Sequence, residues 1–421
     1  MSEHTSTPRN APRDSSRSGP VGRRGFLAGA AAVAAAAATP ALAGAAGAAP
    51  AAAAAARPNI LLIVTDDQPK HTDWALPKLI NWLGGQGVTF THGHSATPLC
   101  APSRSSILSG RHAHHHGVRN NAASHSLDRS TTVQRRLGQA GYRTGLFGKY
   151  LNSWALEDSP PHFEEFALLR PGFNNAWWNI DGTVQQLPGY TTNVIKNRTL
   201  AFLDKAATDS RPWFAYVTPY ASHEPNTPAA KYAETPVPAW NGRPSVPEAD
   251  RSDKPAYIRN ATATLADAQE LRRRQLRALL SVDDAVQAIH DKLVALGQLE
   301  NTLVIYTADN GYTWADHGWL KKSVPYSPAH EVPFYLSWPT GGLGSGTTDS
   351  RIVANIDVAP TILDAAGITP ATPLDGHSLL TPAARSDPYQ LQNLLHRATP
   401  AQEQALGIPA LAAQLAADRA G

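Results

Sequence analysis

The sequence contains a single cysteine, Cys100, in the stretch CAPSR at residues 100–104. One cysteine cannot form an intramolecular disulfide, so this residue is either a small buried apolar side chain or a reactive one. A histidine-rich run, GRHAHHHGV, begins shortly afterwards at Gly110. The rest of the sequence has to decide between the two interpretations of the cysteine.

Two pairs of oxygen-bearing side chains follow apolar segments that read as buried strands. Asp66 and Asp67 end the segment RPNILLIVTDD, and Asp309 and Asn310 end TLVIYTADN. Ligands of open α/β sheets bind outside the carboxyl ends of the strands, so both pairs are expected at one sheet edge. Such oxygen ligands suit a hard cation, Ca²⁺ or Mg²⁺. Either pair alone would favour a helix cap or a turn, but two pairs at buried strand ends favour a metal.

The elements that must position these residues alternate between helices and short apolar strands. The predicted strands lie in RPNILLIVTDD, GYRTGLFGKY, PWFAYVTPY, TLVIYTADNG, VPFYLSWP and RIVANI, and the predicted helices in TTVQRRLGQA, NVIKNRTLAFLDKA, LRRRQLRALLSVDDAVQAIHDKLVALGQL and APTILDAAG. This alternation predicts an α/β fold with a doubly wound, mostly parallel sheet and helices on both faces. The proline-rich residues 221–255 are expected to form a loop that faces the substrate.

Residues 1–56 are predicted to be a twin-arginine signal peptide followed by an alanine-rich linker. Arg23 and Arg24 precede a weakly apolar stretch, and small residues near Ala43 suit cleavage. A membrane anchor is the alternative, but the stretch is mostly alanine and glycine and Pro40 interrupts it. No later apolar run is long enough for a stable membrane span. We therefore expect secretion, or another location outside the cytoplasm, through the twin-arginine export machinery.

The charge balance gives no reason to expect a polyanionic partner. Removing the five arginines and two acids of residues 1–56 from the chain's 37 basic and 34 acidic side chains leaves 32 of each. The apparent basicity of the chain thus comes from the export signal, and we expect no nucleic-acid partner.

Four motifs together resemble the sulfatase family of the alkaline-phosphatase superfamily, over about residues 57–380. PNILLIVTDDQ and IYTADNGY are similar to the family's opening and closing metal motifs, and GYRTGLFGKYLN to its second signature. PLCAPSRSSILSGR is similar to its first signature, in which the cysteine of Cys-x-Pro-Ser-Arg is oxidised to Cα-formylglycine. FGKYLN, KSVPY and LLSVDDAVQAIHDKLVALGQLENTLVIYTAD resemble the branch of N-acetylglucosamine-6-sulfatases and extracellular heparan sulfatases.

The resemblance implies that Cys100 is the precursor of the catalytic residue. Pro102 and Arg104 would belong to the signal that the formylglycine-generating enzyme reads. Hydrated formylglycine is a geminal diol, of which one oxygen sits on the metal and attacks sulfur. After the alcohol leaves, the second hydroxyl loses its proton, the aldehyde re-forms and sulfate is expelled, which a serine could not achieve. The implied metal ligands are Asp66, Asp67, the oxygen of modified Cys100, Asp309 and Asn310.

The resemblance also assigns roles to three cationic side chains. Arg104 would orient the formylglycine and neutralise the metal shell, with a structural salt bridge as the alternative. Lys149 of GKY and Lys322 of KSVPY would contact sulfate oxygens as point charges. The LKKS segment is one residue shorter than in the related branch, so Lys321 and Lys322 are hard to separate.

Two histidines are implied as proton-transfer groups. His223 in YASHEP matches the family's His-x-Pro segment and would protonate the leaving oxygen, whereas a histidine outside such a motif is usually only solvated. Many members have a basic histidine in Gly-Lys-x-His, but this chain reads GKYLN. The related branch instead has a histidine fourteen residues after the modified cysteine, which is His114 here, with His116 as a competitor. A zinc-type cluster of His112, His114, His115 and His116 is disfavoured, because adjacent histidines such as His114 and His115 rarely face one metal.

The expected organisation has three parts: the export segment at residues 1–56, a catalytic domain at 57–380 and a shortened tail at 381–421. Family members usually continue after LDGHSLL through an antiparallel sheet, but the family-like ending SDPYQLQNLL begins at Ser386, six residues after Leu380. We therefore expect the C-terminal antiparallel subdomain to be missing or reduced.

Three functions remain open at this point. The favoured one is an exported sulfatase that hydrolyses a sulfate ester of a sugar or an aryl alcohol. A phosphonate monoester or phosphodiester hydrolase of the same superfamily is the second. A sulfatase-like protein inactivated by the loss of the C-terminal sheet is the third.

Overall fold

The computed structural model of the protein describes residues 57–381. The predicted signal peptide and linker at residues 1–56 lie outside the described residues. The predicted tail at residues 381–421 also lies outside them, apart from residue 381. The expected reduction of the C-terminal sheet falls in the same part of the chain. The proposed division into domains therefore stays a prediction.

Twelve strands are formed within the described residues. They are β1 Asn59–Thr65, β2 Val88–His94, β3 Arg143–Gly148, β4 Glu165–Leu169, β5 Trp177–Ile180, β6 Thr183–Gln186, β7 Trp213–Thr218, β8 Thr302–Ala308, β9 Thr313–Asp316, β10 Trp319–Lys321, β11 Phe334–Ser337 and β12 Thr347–Ala354. β1, β7 and β8 are buried along nearly their whole length, which explains why they are continuous apolar runs in the sequence.

Nine α-helices lie between these strands in the described part of the chain. They are α1 Pro77–Leu79, α2 Cys100–Ser109, α3 Ala113–His116, α4 Val133–Gln139, α5 Thr191–Ala206, α6 Ala256–Arg259, α7 Leu265–Ala295, α8 Ser327–His330 and α9 Val358–Ala365. The long helix α7 begins with a capping box, in which Thr264 and Asp267 satisfy each other's backbone amides. Within residues 57–381, no helix combines the length and the apolar character needed to cross a bilayer.

Ten of the strands form one sheet in the order β12-β2-β11-β8-β1-β7-β3-β4-β5-β6. The central neighbours β8, β1, β7, β3 and β4 are all parallel. β9 and β10 form a separate antiparallel hairpin. The parallel centre brings the carboxyl ends of β8, β1, β7 and β3 to one edge of the sheet.

The sheet separates two apolar cores. On one face, Leu61 and Ile63 of β1 pack with residues of α5 and α7. On the other face, Ile60 and Leu62 belong to a core with residues of α2, α4 and α9. This alternation along one strand confirms the predicted mostly parallel sheet with helices on both faces.

Some elements differ from the expectation or were not predicted. β11 lies between β8 and β2 and runs antiparallel to both, and the β5–β6 hairpin extends one end of the sheet in the antiparallel sense. The apolar pattern of β11 predicts a strand but not its direction, because direction depends on how the chain returns to the sheet. The helix α2 was missed because all ten of its residues are buried, so it has no alternation of polar and apolar faces.

Candidate active site

The two predicted oxygen-bearing pairs meet at the carboxyl edge of the sheet. Thr65 of β1 is paired with Ala308 of β8, so the residues that follow each strand emerge side by side. The Asp309 carboxylate accepts the backbone amide of Asp67 at 3.0 Å, and the side-chain amide of Asn310 donates to the Asp67 carboxylate at 2.9 Å. All four side chains, Asp66, Asp67, Asp309 and Asn310, are buried.

Cys100 is the first residue of α2, and its sulfur points at these carboxylates. The Sγ atom lies 3.6 Å from Asp66 Oδ1 and 3.9 Å from Asp67 Oδ1, and the Lys322 ammonium lies 2.7 Å from it. Burial raises the pKa of the Cys100 thiol to about 12, although Lys149 acts in the opposite sense. The unmodified thiol is therefore protonated at neutral pH and is a weak nucleophile. Its charged surroundings nevertheless disagree with a purely apolar packing role.

Arg104 follows Cys100 by one turn of α2 and is completely buried. Its Nε donates to Asp309 at 2.8 Å, its Nη1 donates to the Lys149 carbonyl at 3.2 Å, and its Nη2 lies 3.7 Å from Asp66. Burial alone would lower the pKa of Arg104, but the carboxylates of Asp309 and Asp66 raise it above its usual range. The guanidinium of this one α2 side chain thus lies against residues that follow three strands, β8, β3 and β1.

Lys149 directly follows β3, and its position depends on the preceding glycine. Gly148 has a φ of +123°, and a Cβ at this position would lie 2.1 Å from the Thr218 carbonyl oxygen. Only glycine allows β3 and β7 to approach this closely at their ends. The Lys149 ammonium then reaches Asp66 Oδ2 at 2.7 Å in a buried ion pair.

The β9–β10 hairpin places a second lysine beside residue 100 and distinguishes the two candidates, Lys321 and Lys322. Lys322, just after β10, contacts both Cys100 and the Asp67 carboxylate and is largely buried. Lys321 is 63% exposed, and its ammonium lies 3.8 Å from Glu224. Burial opposes the charged form of Lys322, but Asp67 and the neighbouring acids raise its pKa well above the usual value. The geometry therefore places Lys322, and not Lys321, beside residue 100.

His223 lies on the loop that follows β7 and faces the same cluster. Its Nε2 is 3.6 Å from Asp67 Oδ2. Its Nδ1 lies 2.8 Å from the Tyr220 hydroxyl and 2.8 Å from the Glu224 carbonyl oxygen. The imidazole therefore has one nitrogen turned towards the acidic cluster and the other held by groups of its own loop.

The histidine run lies on and beside the short helix α3. The ring of His114 stacks on His112 with centroids 5.6 Å apart and contacts His115 at 4.1 Å. His115 bonds to Asp375 through Nδ1 at 2.6 Å. His116 is buried against α2, where its Nε2 lies 3.1 Å from the Ser106 hydroxyl, and burial lowers its pKa to about 4. The assignment of a base to His114 stays a prediction.

The donor set fits a hard divalent cation. Ligand atoms of Asp66, Asp67, Cys100 and His223 all lie within 4.8 Å of one another, whereas the predicted ligand Asp309 is not part of this group. Both carboxylate oxygens of Asp309 instead accept hydrogen bonds, from the backbone amides of Asp67 and Asn310 and from Arg104. Among the described residues, the buried Oδ1 of Asn310 has no hydrogen-bond partner, and so a lone-pair oxygen remains for a cation beside the Asp67 carboxylate. Carboxylate and amide oxygens are the ligands that Ca²⁺ and Mg²⁺ prefer.

Several supporting residues were not found by reading the sequence. Ser222 donates its backbone amide to the Asp66 carbonyl at 2.8 Å and its hydroxyl to the Asp67 carbonyl at 3.1 Å. Asn355 binds the Asp309 carbonyl at 3.2 Å and the Ser103 hydroxyl at 2.7 Å. Tyr220 holds His223, as described above. Polar residues of these types are common in loops, so no spacing or motif marked them in advance.

A family profile with the description Sulfatase matches residues 58–368, which is well over half of the chain. The extracellular sulfatase SULF-1 homolog of Drosophila melanogaster is 33% identical over 348 residues, which cover 77% of this chain and 31% of that protein. Human N-acetylglucosamine-6-sulfatase is 31% identical over 355 residues, covering 77% of this chain and 64% of that protein. The chain thus spans less than two thirds of the length of either relative.

Solved structures with the same fold include one that is bound to a sulfated sugar and one that is a phosphonate monoester hydrolase. The structure of BT4656 with its substrate D-glucosamine-2-N,6-O-disulfate superposes with a TM-score of 0.64 at 24% identity, covering 77% of this chain and 79% of that one. Phosphonate monoester hydrolase from Silicibacter pomeroyi superposes with a TM-score of 0.63 at 25% identity, covering 78% of each chain. The expected alkaline-phosphatase-like fold is therefore confirmed, while these structures leave the phosphorus-ester alternative open.

Proposed function

Since the chain belongs to the sulfatase family, we propose that it is an exported sulfuric ester hydrolase whose nucleophile is formed at residue 100. The observation that carries this proposal is the position of Cys100. Its sulfur lies between two strand-end carboxylates and the Lys322 ammonium, with Arg104 one helical turn behind it. A sulfate ester is an anion, so a nucleophile flanked by cations is the arrangement that its hydrolysis requires.

The proposed modification converts the Cys100 thiol into formylglycine. The hydrated residue would supply a geminal diol, which provides both an attacking oxygen and a second hydroxyl whose ionisation releases sulfate. Residues 100–104 are all completely buried in the folded chain. The formylglycine-generating enzyme must therefore act before α2 packs into the sheet edge. Twin-arginine export, which carries proteins after folding, is compatible with this order of events.

Asp66, Asp67, Asp309 and Asn310 would hold a divalent cation, for which we propose Ca²⁺ and keep Mg²⁺ as the alternative. Such a cation would supply positive charge that acidifies a bound hydroxyl and attracts the sulfate ester. The three carboxylates are already balanced by Arg104, Lys149 and Lys322. An added dication would consequently give the site net positive charge, as an anionic substrate needs.

The surrounding side chains would bind the sulfate group, position residue 100 and transfer protons. Lys149 and Lys322 hold their ammonium groups at the carboxylate cluster, where they can exchange a carboxylate contact for sulfate oxygens. Arg104 fixes the turn of α2 that presents residue 100. His223 would give its Nε2 proton to the departing alkoxide. His114 would accept the proton of the second hydroxyl, a role for which His116 is the competitor.

A sulfated saccharide is the substrate class that we propose, with an aryl sulfate as the simpler alternative. A cavity of about 280 Å³ next to Lys149 lies between the loop after β3 and the end of β4, and it offers room for the alcohol part. Its lining residues include Trp154, Arg170 and Asn152, together with the acidic residue Glu157. Aromatic, cationic and amide groups together suit a polar ring that carries hydroxyl or anionic substituents. The name of the human relative, N-acetylglucosamine-6-sulfatase, and the sulfated sugar bound in the BT4656 structure support the same class.

Export through the twin-arginine pathway is the proposed route to a location outside the cytoplasm. The paired Arg23 and Arg24 and the alanine-rich stretch after them support it, although they lie outside the described residues. The extracellular location in the name of the Drosophila relative agrees with this proposal. A fusion of residues 1–56 to a folded reporter should be exported by cells with that pathway, and replacement of both arginines by lysine should stop the export.

The experiment that tests the reaction compares hydrolysis of 4-nitrophenyl sulfate with hydrolysis of a 4-nitrophenyl phosphodiester and a phosphonate monoester. The protein is produced with the modifying enzyme, and Cys100→Ala serves as the matched negative control. We expect the sulfate ester to be preferred and the control to be inactive. A clear preference for a phosphorus ester would favour the hydrolase activity of the Silicibacter neighbour instead. A folded, modified protein that cleaves neither these esters nor the sulfated sugars of the second measurement would support the inactive alternative.

Desulfation of defined sulfated mono- and disaccharides is the second measurement, because it tests the substrate class. A glucosamine 6-sulfate is the first compound to try, given the resemblance in sequence. Activity on aryl sulfates alone, without any turnover of sulfated sugars, would contradict the saccharide proposal while leaving the reaction class intact.

A further inference from the structure

Tyr220 occupies a position between two groups of the active site. Its side chain is only 6% exposed, and its ring stacks on His223 with centroids 4.7 Å apart and planes 23° apart. The Lys149 ammonium lies 5.9 Å from the centre of the same ring. The hydroxyl is 2.8 Å from His223 Nδ1 and 2.9 Å from the Glu224 carbonyl oxygen.

The hydrogen-bond partners decide which nitrogen of His223 carries a hydrogen. The Glu224 carbonyl can only accept, and it lies within hydrogen-bond distance of both the Tyr220 hydroxyl and His223 Nδ1. An unprotonated Nδ1 would leave two lone pairs facing each other at 2.8 Å. A protonated Nδ1 and a Tyr220 hydroxyl that donates to Glu224 satisfy all three groups. The hydrogen in neutral His223 therefore belongs on Nδ1, and Nε2 is left to exchange a proton at the cluster.

We propose that Tyr220 is a positioning residue that fixes the plane and the tautomer of His223. The imidazolium form of His223 then gives the proton on Nε2 to the departing alcohol oxygen and is left as the neutral tautomer with its hydrogen on Nδ1. This inference rests on the proposed role of His223 as the general acid. Stacking sets the tilt of the imidazole, while the hydroxyl and the Glu224 carbonyl set its rotation about the side-chain bond. Phe173, whose ring centroid lies 5.1 Å from that of Tyr220, packs against the phenol ring.

The effect of Tyr220→Phe should depend on the leaving group, which separates positioning from general damage. 4-Nitrophenolate is a stable anion that leaves without a proton, whereas phenolate and above all a sugar alkoxide need protonation. A general acid contributes about 10²- to 10⁴-fold, so loss of its orientation is expected to cost about tenfold on phenyl sulfate and glucosamine 6-sulfate. Turnover of 4-nitrophenyl sulfate should change by less than about twofold.

Tyr190→Phe is the matched control. Tyr190 is also 6% exposed, its ring also contacts Phe173, and its hydroxyl donates to the Thr227 carbonyl in the same loop at 2.9 Å. Its hydroxyl bond is therefore to the backbone and not to His223. This variant should lose no selectivity between leaving groups, and both variants should melt within a few degrees of the wild type.

The outcomes separate failure of the positioning role from failure of the proposed function. An equal loss on all three esters in Tyr220→Phe overturns the positioning role. A wild type that cleaves no sulfate ester overturns the proposed function. If His223→Ala loses the same fraction of turnover on all three esters, His223 is not the general acid, and the inference loses its basis. The wild type also provides a measurement that needs no Tyr220 variant. The imidazole ¹⁵N signals of His223 are identified as those that disappear in His223→Ala. At a pH where histidine is neutral, they should show that Nδ1 carries the hydrogen. A hydrogen on Nε2 overturns the inference.

Discussion

Replacing Arg104 by glutamine should destabilise the fold far more than removal of a surface ion pair. Arg104 is completely buried, donates to Asp309 at 2.8 Å, binds the Lys149 carbonyl at 3.2 Å and lies 3.7 Å from Asp66. The substitution removes one positive charge from a cluster in which three cations balance three carboxylates. Removing one partner of a buried ion pair costs about 3–5 kcal/mol, because the remaining charge is left uncompensated.

Urea unfolding in the presence of a chelator measures this loss, since the chelator prevents a bound cation from replacing the guanidinium. Arg143→Gln is the control, because Arg143 also pairs with carboxylates, Glu165 and Asp209, but its side chain is 20% exposed. Because water reaches these side chains, the pair is expected to contribute less than the fully buried one, nearer the value of about 0–1 kcal/mol for surface pairs. A loss in Arg104→Gln within about 1 kcal/mol of the control would refute the argument that the cluster depends on balanced buried charge.

The pH dependence gives the same argument a second test. Burial by itself would raise the pKa of Asp66, but Lys149, His223 and Arg104 lower it well below the ordinary value of 3.8. A carboxyl with a lowered pKa stabilises the folded state fully above its ordinary pKa and loses this contribution as the pH falls below it. In Arg104→Gln the pKa of Asp66 should be lowered less, because the guanidinium no longer acts on this carboxyl. The ordinary pKa of the unfolded chain cancels in the difference between wild type and variant. The difference in unfolding free energy should therefore shrink as the pH falls through the folded-state pKa of Asp66 in the variant, and a difference that stays constant through the whole acid range would contradict the charge argument.

Four further predictions follow from the same geometry. With the modifying enzyme present, the peptide that contains Cys100 should carry an aldehyde that reacts with a hydrazide probe, and an unmodified thiol in active protein would contradict this. Lys322→Met should lower turnover by about 10²-fold or more, because it removes a buried ammonium beside residue 100. Lys321→Met should keep turnover near that of the wild type. Equal effects of the two substitutions would show that the roles of Lys321 and Lys322 were assigned wrongly. Asp309→Ala should lower activity by orders of magnitude without rescue by added Ca²⁺, and normal turnover in calcium-free buffer would show that the metal site is misassigned. His114→Ala should accumulate a sulfate adduct on residue 100, visible in the intact mass, whereas inactivity without an adduct would move the base to His116 or elsewhere.

The sequence by itself determined the fold class and predicted most residues of the candidate site. Continuous apolar runs such as Asn59–Thr65 and Thr302–Ala308 identify buried parallel strands, since such strands are covered on both faces. The carboxylates that follow these strands could be placed at one edge, because parallel strands end on the same side of a sheet. The resemblance of CAPSR to the sulfatase signature implied a modifiable cysteine, and this inference did not depend on the fold.

Only the tertiary structure decided the features that depend on contacts between distant segments. The direction of β11 and the existence of the fully buried helix α2 leave no periodic signal in the chain. Lys321 and Lys322 are neighbours in sequence, yet the end of the β9–β10 hairpin turns one towards solvent and the other towards Cys100. Tyr220 gains its role from the fold of the loop after β7, which brings its hydroxyl to His223 Nδ1 beside the Glu224 carbonyl. A residue's type and spacing state what chemistry it can perform, whereas the packed backbone fixes which groups its side chain meets.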